Sequence, residues 1–206
     1  MSIVREGIVY VLVPGALMII FLVLGFWPLG VLFGLLAAFM AYFFRDPRRQ
    51  PPADTDVVVA PADGRVTRVQ PIQEDDARSA TLVSIFLSPL DVHINRAPIA
   101  GKITNVAYTG GKFLMATDER ASLVNEQNAL TIEGEKITVV CKQIAGILAR
   151  RIVCWKRAGE RVELGERFGM IKFSSRTDLL LPGNVEVLVT KGKRVQGGTT
   201  IIGRIR

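Results

Sequence analysis

Hydrophobic and polar positions divide the chain into two unlike parts. From Gly7 to Phe44 there are 38 consecutive residues without a charge, and beyond them apolar and polar residues alternate over short stretches. Within the first part, Ile8 to Phe26 is one apolar run of 19 residues, long enough for a hydrocarbon core of ~30 Å. Trp27-Pro28-Leu29-Gly30 interrupts it with turn residues, and Val31 to Phe44 forms a second run of 14. The pattern predicts an apolar helical hairpin over residues 1–49 that either spans a membrane or dips in from one leaflet. Arg5 precedes it, and Arg45, Arg48 and Arg49 follow it. Basic residues on both flanks place both ends on the cytoplasmic face. A cleaved signal peptide needs a shorter apolar region and a small-residue site, whereas this run stops at Arg45-Asp46-Pro47-Arg48-Arg49.

After the linker Gln50-Pro51-Pro52-Ala53, residues 50–206 read as an all-β domain. Strands are predicted over Val57–Ala60, Arg65–Val69, Thr81–Leu87, Lys102–Tyr108, Leu130–Glu133, Lys136–Lys142, Ile147–Trp155, Gly169–Phe173, Val185–Thr190 and Thr200–Ile205. Turn signals such as Asp63-Gly64, Gly110-Gly111 and Pro182-Gly183-Asn184 separate them. Lys112 to Asn128 lacks alternation and reads as a long loop with room for a helical turn. The segments Val58–Val66 and Val185–Val195 resemble the two halves of a lipoyl- or biotinyl-type barrel-sandwich. The modified lysine of those carriers is missing, because the equivalent hairpin shows Asp63-Gly64. The expected fold is thus a barrel-sandwich β domain preceded by the hairpin.

Charge sharpens the picture. The net charge of +7 conceals −4 over residues 50–141 and +9 over residues 142–206. A basic segment beside a membrane hairpin suits an anionic lipid surface. Nucleic acid is the other common partner at this charge, but no DNA-binding helix motif, zinc spacing or RNA-binding aromatic signature is present. Cys141 and Cys154 fit a reducing compartment and read as buried apolar residues.

Two segments carry candidate chemistry. The single histidine, His93, lies in Ser88-Pro89-Leu90-Asp91-Val92-His93-Ile94-Asn95-Arg96-Ala97-Pro98. On a strand, Asp91 and His93 share a face, and a carboxylate beside the imidazole fixes its tautomer for acid/base work. Alone, such a histidine is more often a hydrogen-bonded structural residue than a catalyst, and one imidazole without clustered carboxylates or thiolates does not make a metal site. The second segment is Phe168-Gly169-Met170-Ile171-Lys172-Phe173-Ser174-Ser175-Arg176-Thr177-Asp178. Two serines interrupt an apolar strand there. By spacing alone this is a strand end with satisfied hydroxyls, and the Gly-x-Ser-x-Gly elbow is absent.

Together these motifs resemble the phosphatidylserine decarboxylase family in its short prokaryotic form. The resemblance runs through Phe43-Phe44-Arg45-Asp46-Pro47, Ala60-Pro61-Ala62-Asp63-Gly64, the Asp91–Pro98 segment with Gly101, and Asn125-Glu126-Gln127-Asn128. It continues through Arg167–Ile171 and Ser175–Asp178 with Leu181-Pro182. The family implies a pyruvoyl-dependent carboxy-lyase that converts phosphatidylserine to phosphatidylethanolamine and CO2. Its pyruvoyl group comes from the protein's own serine by autocatalytic serinolysis and holds the substrate amine as a Schiff base, without pyridoxal phosphate or metal. By residue match, Ser175 becomes the pyruvoyl. The chain would be cut between Ser174 and Ser175 into a β chain (1–174) and an α chain (175–206) that stay together as a heterodimer.

The resemblance also assigns acid/base work to Asp63 and His93, with Asp63 or Asp91 orienting the imidazole. Arg96 and Arg176 are candidates either for the substrate's carboxylate or phosphate or for loop-holding salt bridges. Two positions depart from the family pattern. Ser174 stands where glycine usually precedes the reactive serine, and the second histidine of longer members is missing. Two alternatives share the same expected fold: an archaetidylserine decarboxylase, and a non-catalytic membrane-anchored adaptor.

Overall fold

The computed structural model describes residues 2–73, 79–116, 118, 120–147, 151–173 and 175–206. Ser174 lies outside these residues. The chain divides into two units, Met1–Arg48 and Arg49–Arg206.

In the first unit, strand β1 (Ser2–Ile3) and a single 3-10 turn (Arg5–Gly7) lead into helix α1 (Ile8–Val23). Helix α2 (Trp27–Phe43) and strand β2 (Arg45–Asp46) follow. β1 and β2 pair antiparallel and close the base of the hairpin. The turn falls earlier than the sequence suggests. Gly25, at φ +81°, reverses the chain between the helices, a conformation that glycine adopts without a Cβ clash. Trp27-Pro28 instead opens α2, where proline's fixed φ and missing N–H suit a first helical turn. Phe21 and Phe33 stack at 5.4 Å and hold the helices together. The outward faces stay apolar, with Val9, Leu12, Val23 and Leu35 exposed. Arg5–Val23 is long and apolar enough to cross a membrane, and α2 is shorter. The unit has the character of a membrane-associating element.

The second unit is built almost entirely of strands. They are β3 (Val57–Val59), β4 (Gly64–Gln73), β5 (Ser79–Leu87), β6 (Ile94–Arg96) and β7 (Gly101–Thr109). A short helix, α3 (Ala121–Val124), precedes β8 (Gln127–Glu133), β9 (Thr138–Ile144), β10 (Arg151–Cys154) and β11 (Arg161–Val162). The last five are β12 (Arg167–Lys172), β13 (Ser175–Pro182), β14 (Val185–Val187), β15 (Arg194–Val195) and β16 (Ile201–Ile205). Eight strands form one antiparallel sheet in the order β11-β7-β8-β9-β13-β5-β4-β15. Two three-stranded sheets, β10-β12-β6 and β14-β16-β3, complete the domain.

Alternation explains the core. On β8 the buried side chains are Asn128, Leu130 and Ile132; on β9 they are Val139, Cys141 and Gln143, with Ile144 buried at the strand's end. Val58, Val66, Ile85, Leu130, Phe168, Leu179 and Ile202 join from all three sheets in one apolar cluster. The two segments that echo a barrel-sandwich do meet: Gly64 pairs with Val195 and Arg65 with Arg194. Gly64 sits at φ +150°, and a Cβ there would lie 2.1 Å from the Phe86 carbonyl oxygen. Only glycine fits that approach.

The main difference from the sequence reading is β13. Its polar start, Ser175-Arg176-Thr177-Asp178, suggests no strand, yet it is central in the large sheet and pairs with both β5 and β9. A strand covered on both sides has no polar face to mark it by alternation. Strands β6, β11 and β15 are too short to carry a period. Part of the strand predicted over Ile147–Trp155 falls on residues 148–150, outside those described; its visible portion is β10.

Candidate active site

The site begins where the chain passes from one sheet to another. β12 ends at Lys172, and β13 starts at Ser175 in the eight-stranded sheet. Between them, Phe173 adopts φ +65°, the sole non-glycine residue with positive φ among those described. For a side chain with a Cβ this costs roughly 1–2 kcal/mol, so backbone strain lies immediately beside the Ser174-Ser175 bond. Sequence reasoning missed this feature, which no residue type at position 173 announces.

Along β13, alternation places Ser175 and Thr177 on the same face as Leu179 and Leu181, which belong to the core. Ser175 is wholly buried, and its Oγ has no hydrogen-bond partner among the described residues. Buried hydroxyls are normally satisfied. The reading of a strand end with satisfied hydroxyls therefore fails at Ser175, and an uncommitted oxygen is left at the strand's first position.

His93 reaches the same region. Its backbone carbonyl accepts a hydrogen bond from the Ile171 N–H at 3.2 Å, four residues before Ser175. It precedes β6, whose Ile94 and Asn95 pair with Met170 and Gly169 of β12. The imidazole is buried, and its Nδ1 lies 2.9 Å from the Asp91 carbonyl oxygen. A carbonyl only accepts, so this contact assigns the proton to Nδ1 and the lone pair to Nε2.

The expected role for the Asp91 carboxylate is corrected here. Residues 91–93 are not in a strand, and the backbone of Asp91, not its side chain, orients the ring. The carboxylate accepts hydrogen bonds from the Ser88 N–H at 2.8 Å and the Ser88 hydroxyl at 2.7 Å, and it pairs with Arg194. It thereby holds the Ser88–Asp91 turn that carries the histidine.

Asp63 approaches from the loop after β3. The Pro61 carbonyl accepts the Arg96 N–H at 2.9 Å, which joins this loop to β6. The Asp63 carboxylate pairs with Arg49 at 2.6 Å and accepts the Gly197 N–H at 2.8 Å. Burial raises its pKa above the ordinary 3.8 even though the Arg49 charge and both hydrogen bonds oppose the shift; Asp91 nearby adds to it.

A buried chain of amides backs the site. Asn95 Nδ2 donates to Thr177 Oγ1 at 2.9 Å, Gln143 Nε2 to Asn95 Oδ1 at 2.9 Å, and Asn128 Nδ2 to Gln143 Oε1 at 3.0 Å. The amide orientations are those this network requires. Asn128 and Gln143 are direct cross-strand partners. Sequence reasoning gave Asn128 and Gln143 no role, although both occupy inward positions of an alternating pattern, and that was the available signal.

Both candidate arginines bond to the protein's own backbone. Arg96 donates to the Gly165 carbonyl at 3.1 Å. Arg176, almost fully buried, donates to the carbonyls of Ala116 and Asp118, each at 3.2 Å, and pairs with Asp178 at 3.0 Å. Asp178 also accepts the Ser122 hydroxyl at 2.8 Å. These contacts fit the loop-holding alternative and pin the Lys112–Val124 connection onto β13. Sequence reasoning did not single out Ser122 or Asp178.

A wholly buried serine thus follows a strained residue, and the carbonyl of an oriented histidine is bonded to the strand that leads to it. The sequence model of the phosphatidylserine decarboxylase family matches residues 36–203. The chain belongs to that family. Proteins named phosphatidylserine decarboxylase proenzyme are similar to it over nearly their whole length. The one from Solibacter usitatus is 48% identical over 99% of this chain and 97% of its own. The Carboxydothermus hydrogenoformans protein is 45% identical over 98% and 96%. That of Pelodictyon phaeoclathratiforme is 48% identical over 86% of this chain and 84% of its own.

Proposed function

We propose that this chain is a phosphatidylserine decarboxylase that processes itself at Ser175 and forms phosphatidylethanolamine from phosphatidylserine at the cytoplasmic face of a membrane. One observation carries the reading: the buried, uncommitted Ser175 hydroxyl at the head of β13. An unmet buried hydroxyl costs about 1–3 kcal/mol. Ser84 shares that condition among the described residues, but only Ser175 follows strained backbone and falls at the reactive serine of the family motif.

The processing chemistry follows from the chain's own groups. The Ser175 hydroxyl adds to the carbonyl carbon of residue 174 while its proton passes to His93 Nε2. Collapse frees the Ser175 amine and leaves an ester. Loss of the Ser175 Cα proton then expels the residue 174 carboxylate, which cuts the chain and leaves dehydroalanine. Hydrolysis of that residue releases ammonia and leaves a pyruvoyl group. Strain at Phe173 raises the starting state relative to the shift. Burial of Ser175 keeps competing water from the ester.

The residues present fit the formation of a pyruvoyl group, because the Ser175 hydroxyl that must attack has no partner among the described residues. Its ketone supplies an electron sink for the pair released with CO2, chemistry that side chains alone lack. His93, held in one tautomer by Asp91, is assigned the proton that must reach the carbon losing CO2. Asp63, whose pKa burial raises, is assigned the second acid/base role. The two chains would stay together after cleavage. Residues 175–206 supply β13 to the middle of the large sheet and β15 to its edge, and β14 and β16 to a second sheet. The basic residues flanking the hairpin support the cytoplasmic orientation.

Denaturing mass spectrometry tests the reading. The purified protein should give two fragments divided between Ser174 and Ser175, with the smaller one trapped by borohydride. Ser175→Ala should remain a single inactive chain, and His93→Ala should slow cleavage, turnover or both. An uncut wild-type chain, or decarboxylation by Ser175→Ala, would overturn it.

A further inference from the structure

Strands β7, β5 and β9 finish, and β4, β8 and β13 begin, at one end of the large sheet; Ser175 opens β13 at that end. The connections there hold large apolar side chains in solvent. Leu90 is 62% exposed, Tyr108 62%, Met115 61%, Leu123 81% and Ile147 54%. One exposed leucine is ordinary, but five large apolar residues gathered at one end mark a contact surface. Met115 and Leu123 do not dangle, since Arg176 and Asp178 fasten their connection to β13.

Charge is arranged to match. Arg65, Lys112, Lys191 and Lys193 are exposed at this same end, with Gly192 bonded to Val66 beside β4. The opposite end of the sheet is mixed in charge, with Glu133, Glu135 and Glu163 exposed beside Lys102, Lys136 and Arg161.

We propose that this end of the β domain is itself a bilayer-docking surface, with Met115 and Leu123 inserted among the acyl chains of an anionic leaflet and the lysines against its headgroups. The inference rests on the reading that the substrate is a bilayer phospholipid, and it makes the β domain a lipid contact in its own right, additional to the hairpin. Apolar tips with a basic rim are what an anionic interface binds. The far end, where acidic and basic side chains lie side by side, offers no such basic rim. Docked in this way, the domain presents the strand that opens at Ser175 to the headgroup layer, so the substrate need not leave the bilayer.

The test uses the full chain on vesicles of equimolar phosphatidylcholine and phosphatidylglycerol, which are anionic and contain no substrate. A bimane label on Leu123→Cys, in a Cys154→Ser background, should be quenched by brominated acyl chains and shielded from aqueous iodide. A label on Leu188→Cys, after β14, should remain open to iodide. Equal iodide access at both positions would overturn the proposal. In a second arm, Met115→Glu with Leu123→Glu should lower turnover on phosphatidylserine vesicles, relative to soluble short-chain phosphatidylserine, by about tenfold or more. Mass spectrometry should show the same two fragments in that variant, which reports an intact fold. An unchanged ratio would also overturn the proposal, as would a patch that governs self-association in detergent while its label stays water-accessible. Wild-type protein inactive on both substrates would instead remove the decarboxylase reading and leave the label result standing by itself.

Discussion

Asn95 donates from Nδ2 to the Thr177 hydroxyl at 2.9 Å, and this single bond ties the strand following His93 to the strand that opens at Ser175. The two strands lie in different sheets, so no backbone ladder sets their spacing. The amide is buried and is also held by Gln143. Replacing it leaves a hydroxyl and a second amide unmet, at about 1–3 kcal/mol for each. Asn95→Ala should therefore slow self-cleavage, followed by the intact-chain fraction over time, more than a comparably destabilising core change such as Leu130→Ala. Equal rates in the two variants would reduce Asn95 to a packing residue.

Arg176 and Asp178 form a buried pair that faces away from Ser175 and toward the connection running from Lys112 to Val124. Arg176→Ala strands the Asp178 carboxylate in the interior with Ser122 as its remaining side-chain partner among the described residues, a loss of about 3–5 kcal/mol. Thermal unfolding in detergent should fall accordingly, and limited proteolysis should open the connection first. The double change Arg176→Met with Asp178→Leu should recover most of the stability, because an apolar pair carries no desolvation penalty. If Arg176→Ala keeps wild-type stability, the clamp has no energetic weight.

Asp63 yields a pH prediction. Its folded pKa lies above the ordinary 3.8, with burial the largest cause. The native state therefore holds this proton at pH values where the unfolded chain has released it. Asp63 works against folding above its folded pKa, and that cost fades as pH falls toward 3.8, opposite to a salt-bridged carboxylate with a depressed pKa. If the ionised form assists His93, turnover should fall on the acid side below a pH set by this raised value. Asp63→Asn should remove that limb of the profile. A limb unchanged in Asp63→Asn would take Asp63 out of the mechanism.

Much of the candidate site was legible before any coordinates. The motifs around Asp63, His93 and Ser175 were named by their resemblance to a family, whereas spacing alone made Ser175 a strand end. Alternation located most of the long strands, because a half-buried strand must repeat every second residue. It failed at β13, whose two faces are both covered, so Arg176 and Asp178 are buried where a polar run suggests a loop. The amide chain was hidden for a related reason. Asn128 and Gln143 sit at apolar positions of their strands, but that they face each other is a matter of register.

The sequence by itself determined the apolar hairpin and the β character of the rest, because those depend on composition and local period, and its motifs carried the resemblance that named the candidate residues. Tertiary structure alone decided what each residue does with its neighbours. It bent Phe173 into a left-handed conformation, left the Ser175 oxygen without a described partner, and turned the ring of His93 with a backbone carbonyl that no side-chain pattern records. It also brought five exposed apolar side chains from distant connections to one end of a sheet. Those outcomes arise from contacts between segments far apart in the chain, and strand pairing, not local preference, sets which segments meet.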